Sequence, residues 1–109
     1  MYKRQVVNDF WRALAHDPVT LARTWASLKE VMGPGALEPK VKEMLYVAVS
    51  IAQGCTYCVH SHTAAAKAKG MTAHEHAELL AVVGMAAETN RLVTGLGVAV
   101  DRAFLVGEG

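Results

Sequence analysis

The sequence predicts an all-α fold: a bundle of about five to six helices in which an antiparallel helix pair carries a Cys-x-x-Cys at a helix N-terminus. Three observations lead there. Apolar residues recur at helical spacing nearly end to end. Capping residues, prolines and glycines divide that pattern into segments of helix length. No segment shows the period-two alternation of a half-buried strand.

Phe10, Trp11 and Leu14 give a short apolar face over residues 7–15. Asp17-Pro18 reads as an N-cap followed by proline at the first helical position. The helix it opens carries Leu21, Trp25, Leu28 and Met32 at spacings of four, three and four, a single apolar stripe of core or subunit-interface type. Arg23, Thr24, Lys29 and Glu30 take its wet side, and Gly33-Pro34-Gly35 breaks it. Pro39 opens a third helix over residues 39–53. After Glu43 it reads Met-Leu-Tyr-Val-Ala-Val-Ser-Ile-Ala, apolar on nearly every side, so burial all round is expected. Its β-branched residues alone would suit a strand; its length and N1 proline favour helix. Gly54 ends it. The fourth helix begins within residues 55–58, runs through the strongly helix-forming Ala64-Ala65-Ala66-Lys67-Ala68-Lys69, and stops at Gly70 as a C′ residue. Thr72 and Glu75 form a capping box for the fifth, which continues through Leu79, Leu80 and Val83 to Leu92 and Val93. Gly84 marks a candidate bend, Gly95-Leu96-Gly97 an end, and Asp101 a cap on a frayed last turn.

At 109 residues the chain is one domain by length. Apolar residues make up 52% and charged residues 19%, the latter below the usual share of about a quarter. So small a domain with so few charges is expected to cover part of its surface with copies of itself, as a homo-oligomer. A net charge of +1 without a basic run gives no electrostatic footprint for nucleic acid. No apolar run approaches the length of about 18 residues that would predict a membrane span. Asn8, Asp9 and Arg12 interrupt any signal-peptide pattern, so a cytoplasmic location is expected. Residues 1–5, Met-Tyr-Lys-Arg-Gln, look like a translated sequencing-adapter fragment, and no functional argument rests on them.

Cys55 and Cys58 are the only cysteines, gathered in Gly54-Cys55-Thr56-Tyr57-Cys58. A bridge between them closes almost no loop, so it restrains the unfolded chain little and its value is chemical. In a reducing compartment such a pair reads as redox-active or metal-binding. Cys55 falls at a helix start, where unsatisfied N–H groups and the macrodipole favour a thiolate. Cys58 and His62 lie four apart on one helical face, so the imidazole can take the Cys58 proton directly or through one water. Glu43, twelve residues before Cys55, would lie roughly 18 Å away along a continuous helix. If the chain turns back at Gly54, His62 descends about 10 Å along the returning helix. The order becomes Cys55, Cys58, His62, Glu43, with thiols at the mouth and carboxylate at the depth. In apolar surroundings Glu43 is expected to be paired or to share a proton. Tyr57, between the cysteines, lines a substrate mouth or simply packs. His60, His74 and His76 read as surface residues.

Glu43, Cys55, Cys58 and His62 spell E-x11-C-x-x-C-x3-H, and the surroundings agree: Leu37-Glu38-Pro39-Lys40-Val41-Lys42-Glu43 before it, Cys58-Val59-His60-Ser61-His62-Thr63 within it, Lys69-Gly70-Met71-Thr72 after it. This resembles the AhpD-like alkylhydroperoxidase branch of the carboxymuconolactone decarboxylase superfamily. The resemblance covers residues 19–100, taken as the domain, with 1–18 as an N-terminal segment and 101–109 as a tail. It implies an AhpD-like helical bundle assembled as trimers or hexamers, and a thiol peroxidase or disulfide reductase without metal, haem or flavin. It implies that Cys58 attacks the peroxide oxygen, that His62 with Glu43 behind it relays the proton, and that Cys55 resolves the sulfenic acid to a disulfide. It implies a dithiol reductant, a lipoyl group or a thioredoxin-like protein. One departure stands out: well-known peroxidase members carry a histidine where this chain has Tyr57. The lactone decarboxylases proper lack the dithiol.

Two readings of another class stay open at this level. Cys55, Cys58, His60 and His62 offer zinc-type ligands, although residues 60 and 62 point to opposite sides of a helix and no second cysteine pair follows. A structural oligomer with a vestigial site is the other. A disulfide reductase with weak peroxidase activity would need the same thiols as the peroxidase.

Overall fold

The structure, a computed structural model, describes residues 8–105. The reading of residues 1–5 as a foreign fragment concerns residues outside that range. Five helices follow in order: α1 (Asp9–Leu14), α2 (Pro18–Met32), α3 (Pro39–Gln53), α4 (Thr56–Ala68) and α5 (Ala73–Leu96), then a 3-10 turn, Arg102–Leu105. Among the described residues there is no strand.

Local chemistry sets each boundary. Asp17 caps α2 by accepting from the Thr20 hydroxyl at 2.7 Å and the Thr20 N–H at 3.2 Å. Those two bonds, the hydroxyl first, hold its carboxyl below the usual carboxylate value. α3 ends at Gly54, whose φ of +73° is left-handed and suits a residue without a β-carbon. Its N–H turns back to Ile51, and the Cys55 N–H bonds the Ser50 carbonyl at 2.9 Å. The chain thereby reverses at once, and α4 returns antiparallel along α3. At the start of α5, Thr72 and Glu75 form the capping box. Glu75 also bonds Lys40 Nζ at 2.9 Å, tying α5 to α3. The Thr72 N–H, then Lys40, hold the Glu75 carboxyl below its usual value.

The most extensive helix contact is α3 on α4, with α5 next. Val47, Ala66, Met71 and Leu79 form the core, with Met44, Ile51 and Val83 packed against it. Here one expectation is corrected. α3 is not buried all round: only Glu43, Val47 and Ser50 are, while Leu45 and Val49 are 52% and 54% exposed. α4 and α5 cover one side of α3; among the described residues the other side meets the end of α2 and stays half open at Leu45 and Val49. Three smaller readings shift as well. α1 is shorter than residues 7–15, with Val7 outside the described residues and Ala15 as C-cap. α5 runs unbroken through Gly84. Asp101 serves the last turn through its carbonyl, which accepts from the Phe104 N–H at 3.0 Å.

The chain is elongated. Its radius of gyration is 17.7 Å, against about 13 Å for a compact domain of this length. The second half of α5 extends away from the core with Met85, Leu92, Val93 and Leu96 exposed.

Candidate functional site

The turn at Gly54 places Cys55 as the N-cap of α4. Its sulfur accepts from the Cys58 N–H at 3.3 Å, in the place a serine or aspartate oxygen would take. Cys55 and Cys58 are joined as a disulfide, with Cα atoms 5.3 Å apart. The bridge lies at the end of the helix where backbone N–H groups are unsatisfied, which favours negative charge on a released thiol.

His62 follows one turn after Cys58 on α4. Its Nδ1 lies 2.7 Å from Glu43 Oε1 on α3. Glu43 is 5% exposed, and its second oxygen accepts from Lys69 Nζ at 3.0 Å. A buried carboxylate is tolerated when both oxygens are engaged and a counter-charge is near. Tyr46, three residues after Glu43 on the same face of α3, stacks on the His62 ring at 3.6 Å between centroids and 17° between planes. The imidazole is thus held at one edge by a carboxylate and over one face by an aromatic ring. With Nδ1 directed at Glu43, Nε2 is the ring atom left to exchange a proton with another group.

Cys58 and His62 open on a cavity of about 340 Å³. Phe10, Trp11, Trp25, Tyr46 and Tyr57 supply its aromatic walls and Ser61 a hydroxyl. Trp11 meets Trp25 edge-on at 5.0 Å. The Tyr57 hydroxyl accepts from the Phe10 N–H at 3.0 Å, which pins the start of α1 beside the Cys-x-x-Cys. An apolar chamber with a few convergent polar groups is the usual form of a small-molecule site.

Of the residues singled out from the sequence, Glu43, Cys55, Cys58 and His62 lie in one connected group, and Tyr57 lines the cavity beside them. His60 is exposed and lies outside the aromatic cavity. Among the described residues no three His, Cys, Asp or Glu side chains gather as a metal site. Two participants were not read from the sequence, Lys69 and Tyr46. Lys69 is seven residues after His62, two turns along the same face, so a carboxylate near one is in reach of the other. Tyr46 is hidden in a run that reads simply as apolar.

Residues 19–101 match the family model of the carboxymuconolactone decarboxylase family. Among solved structures, the chain is similar to the alkylhydroperoxidase AhpD core from Rhodospirillum rubrum ATCC 11170. The two share 60% identity over 93% of this chain and 75% of that one, with a TM-score of 0.90. No curated protein matches the chain. Among the described residues, no helix is long and apolar enough to cross a membrane.

Proposed function

The chain belongs to the carboxymuconolactone decarboxylase family, in its AhpD-like branch, and on that premise we propose that it reduces organic hydroperoxides through a Cys55–Cys58 dithiol cycle. The observation that carries this reading is the shared cavity. Cys58 and a histidine bonded to a buried glutamate face the same aromatic chamber.

In the reduced protein His62, oriented by Glu43, takes the Cys58 proton. The thiolate sulfur attacks the terminal oxygen of the hydroperoxide. The O–O bond breaks, the alkoxide leaves as alcohol with the proton returned from His62, and Cys58 becomes a sulfenic acid. Cys55 then loses its proton and its thiolate attacks the Cys58 sulfur; the S–S bond forms, the S–O bond breaks, and the hydroxide leaves as water with the proton Cys55 released. An external dithiol, a lipoyl group or a thioredoxin-like protein, returns two electrons and two protons to the bridge by thiol–disulfide exchange. Tyr57, bonded to the Phe10 N–H, acts in this scheme as a wall of the chamber.

The test is direct. Reduced protein is mixed with one equivalent of cumene hydroperoxide, and free thiols are counted while mass spectrometry follows the Cys55–Cys58 bridge. The expected result is loss of both thiols with one alcohol released, at a second-order rate at least tenfold above that for hydrogen peroxide. That preference follows from aromatic lining able to bury an apolar leaving group. Thiols that survive hydroperoxide but are lost to small disulfides would leave a disulfide reductase instead.

The protein is also read as a homo-oligomer, with the uncovered apolar side of α3 at Leu45 and Val49 and the outer half of α5 packed against other copies. Light scattering at low micromolar protein is expected to give an integral multiple of the chain mass, threefold or sixfold. A single-chain mass would overturn it.

A further inference from the structure

The geometry points to Lys69 as a positioning residue that sets the proton affinity of His62 through Glu43. This deepens the functional reading above and rests on Glu43 and His62 acting as the proton acceptor of the dithiol.

Glu43 is buried at 5% exposure and has two oxygens. One faces His62 Nδ1 at 2.7 Å and the other faces Lys69 Nζ at 3.0 Å. The three groups form one chain of charge, cation to carboxylate to imidazole, with Lys69 at its solvent end. A lysine in that place does two things. It satisfies the second carboxylate oxygen, which burial would otherwise leave unpaired. It also opposes the arrival of another proton on the Glu43–His62 pair, because a positive charge a few ångströms away repels it. A base that must stay empty until it receives the Cys58 proton gains from such a neighbour.

Several other charged groups on the packed elements have contacts of their own. On α3, Lys40 holds Glu75 of α5, and Lys42 bonds the Val31 and Gly33 carbonyls at the C-terminal end of α2 at 2.8 and 2.7 Å. On α2, Lys29 lies over the Trp25 ring. On α4, Cys58 and, stacked from α3, Tyr46 adjoin His62 on its cavity side. α5 carries the half-buried His76 besides Glu75. Lys69 is the ammonium in contact with the Glu43 carboxylate.

A purely structural role is the competing explanation, since Lys69 is also the C-cap residue of α4 and its bridge ties that end to the start of α3. The two differ in what they move. A tie changes stability; a charge changes a titration. Lys69 has a 42% exposed side chain, so solvent screens part of its effect. The expected displacement is therefore about half a pH unit.

The experiment follows the imidazole signal of His62 by NMR through a pH titration of the protein kept reduced. The signal is assigned by its loss in a His62→Gln variant, the chain having 5 histidines. Lys69→Met and Lys69→Gln are compared with the parent and with Lys69→Arg. Both neutral variants are expected to titrate about half a pH unit higher than the parent, and the arginine variant with the parent. The difference should shrink in about 1 M salt. Lys69→Gln retains a donor to Glu43, so it carries the test should the methionine variant fail to fold. A glutamine variant that titrates with the parent overturns the proposal, as does a fall in melting temperature without displacement of the His62 midpoint. The readout needs no peroxide. A displaced midpoint in a protein that ignores hydroperoxides would sink the peroxidase reading and leave Lys69 in its role.

Discussion

Cys58→Ser is expected to abolish hydroperoxide consumption, at least a thousandfold below the parent, whereas Cys55→Ser should consume one equivalent of peroxide and stop. Cys58 lines the aromatic cavity together with His62; Cys55 does not line it. A peroxide in that chamber therefore meets the Cys58 sulfur with a base on the same side. The opposite assignment has an argument of its own. Cys55 is the N-cap of α4, and its sulfur already accepts an N–H bond from Cys58, the environment that lowers thiol pKa values at helix starts. Thiolate stability and access to substrate thus favour different cysteines. Access is expected to win for the oxidation step, and the N-cap then suits Cys55 to attack as resolving thiolate. Trapping with a dimedone-type reagent decides it. Cys55→Ser should carry one label, on Cys58, after peroxide. A label on Cys55 in the Cys58→Ser protein would reverse the order of the two thiols.

The helices were legible because their boundaries are chemical. Asp17-Pro18, Gly54, Gly70 and the Thr72–Glu75 box each occupy the place the spacing implies. The approach of His62 to Glu43 was legible for a related reason. Once Gly54 reverses the chain, rise per residue brings His62 back along the helix pair toward Glu43, and the two side chains span the rest of the distance. Burial was misread where it depended on neighbours. An apolar run states which environment a helix tolerates, and among the described residues the Leu45–Val49 side of α3 stays half exposed. Lys69 and Tyr46 escaped for the opposite reason. An exposed lysine near a helix end and a tyrosine in an apolar run are ordinary residues until a buried carboxylate and an imidazole are placed beside them. The part played by α1 was hidden too, since the Phe10–Tyr57 bond joins residues 47 positions apart.

Glu43→Gln isolates the charge at the buried end of the site. The amide has nearly the carboxylate's shape and can still accept from His62 Nδ1 through its oxygen. Its nitrogen would then face Lys69, which at 42% exposure can turn to water. Folding and assembly should therefore survive. What is lost is the negative charge that stabilises an imidazolium. His62 remains in place but accepts a proton less readily, so its titration should move to lower pH, the reverse of the Lys69 variants. Cys58 then ionises beside a neutral ring rather than a cation, and its alkylation should need higher pH. The rate of hydroperoxide reduction is expected to fall on the order of ten- to a thousandfold, overlapping the span that acid–base partners contribute. Stopped-flow thiol loss together with the pH dependence of alkylation measures both effects. If rate and titration match the parent, Glu43 is a structural carboxylate that anchors α4 to α3 through His62 and Lys69, and the proton from Cys58 must leave by another route.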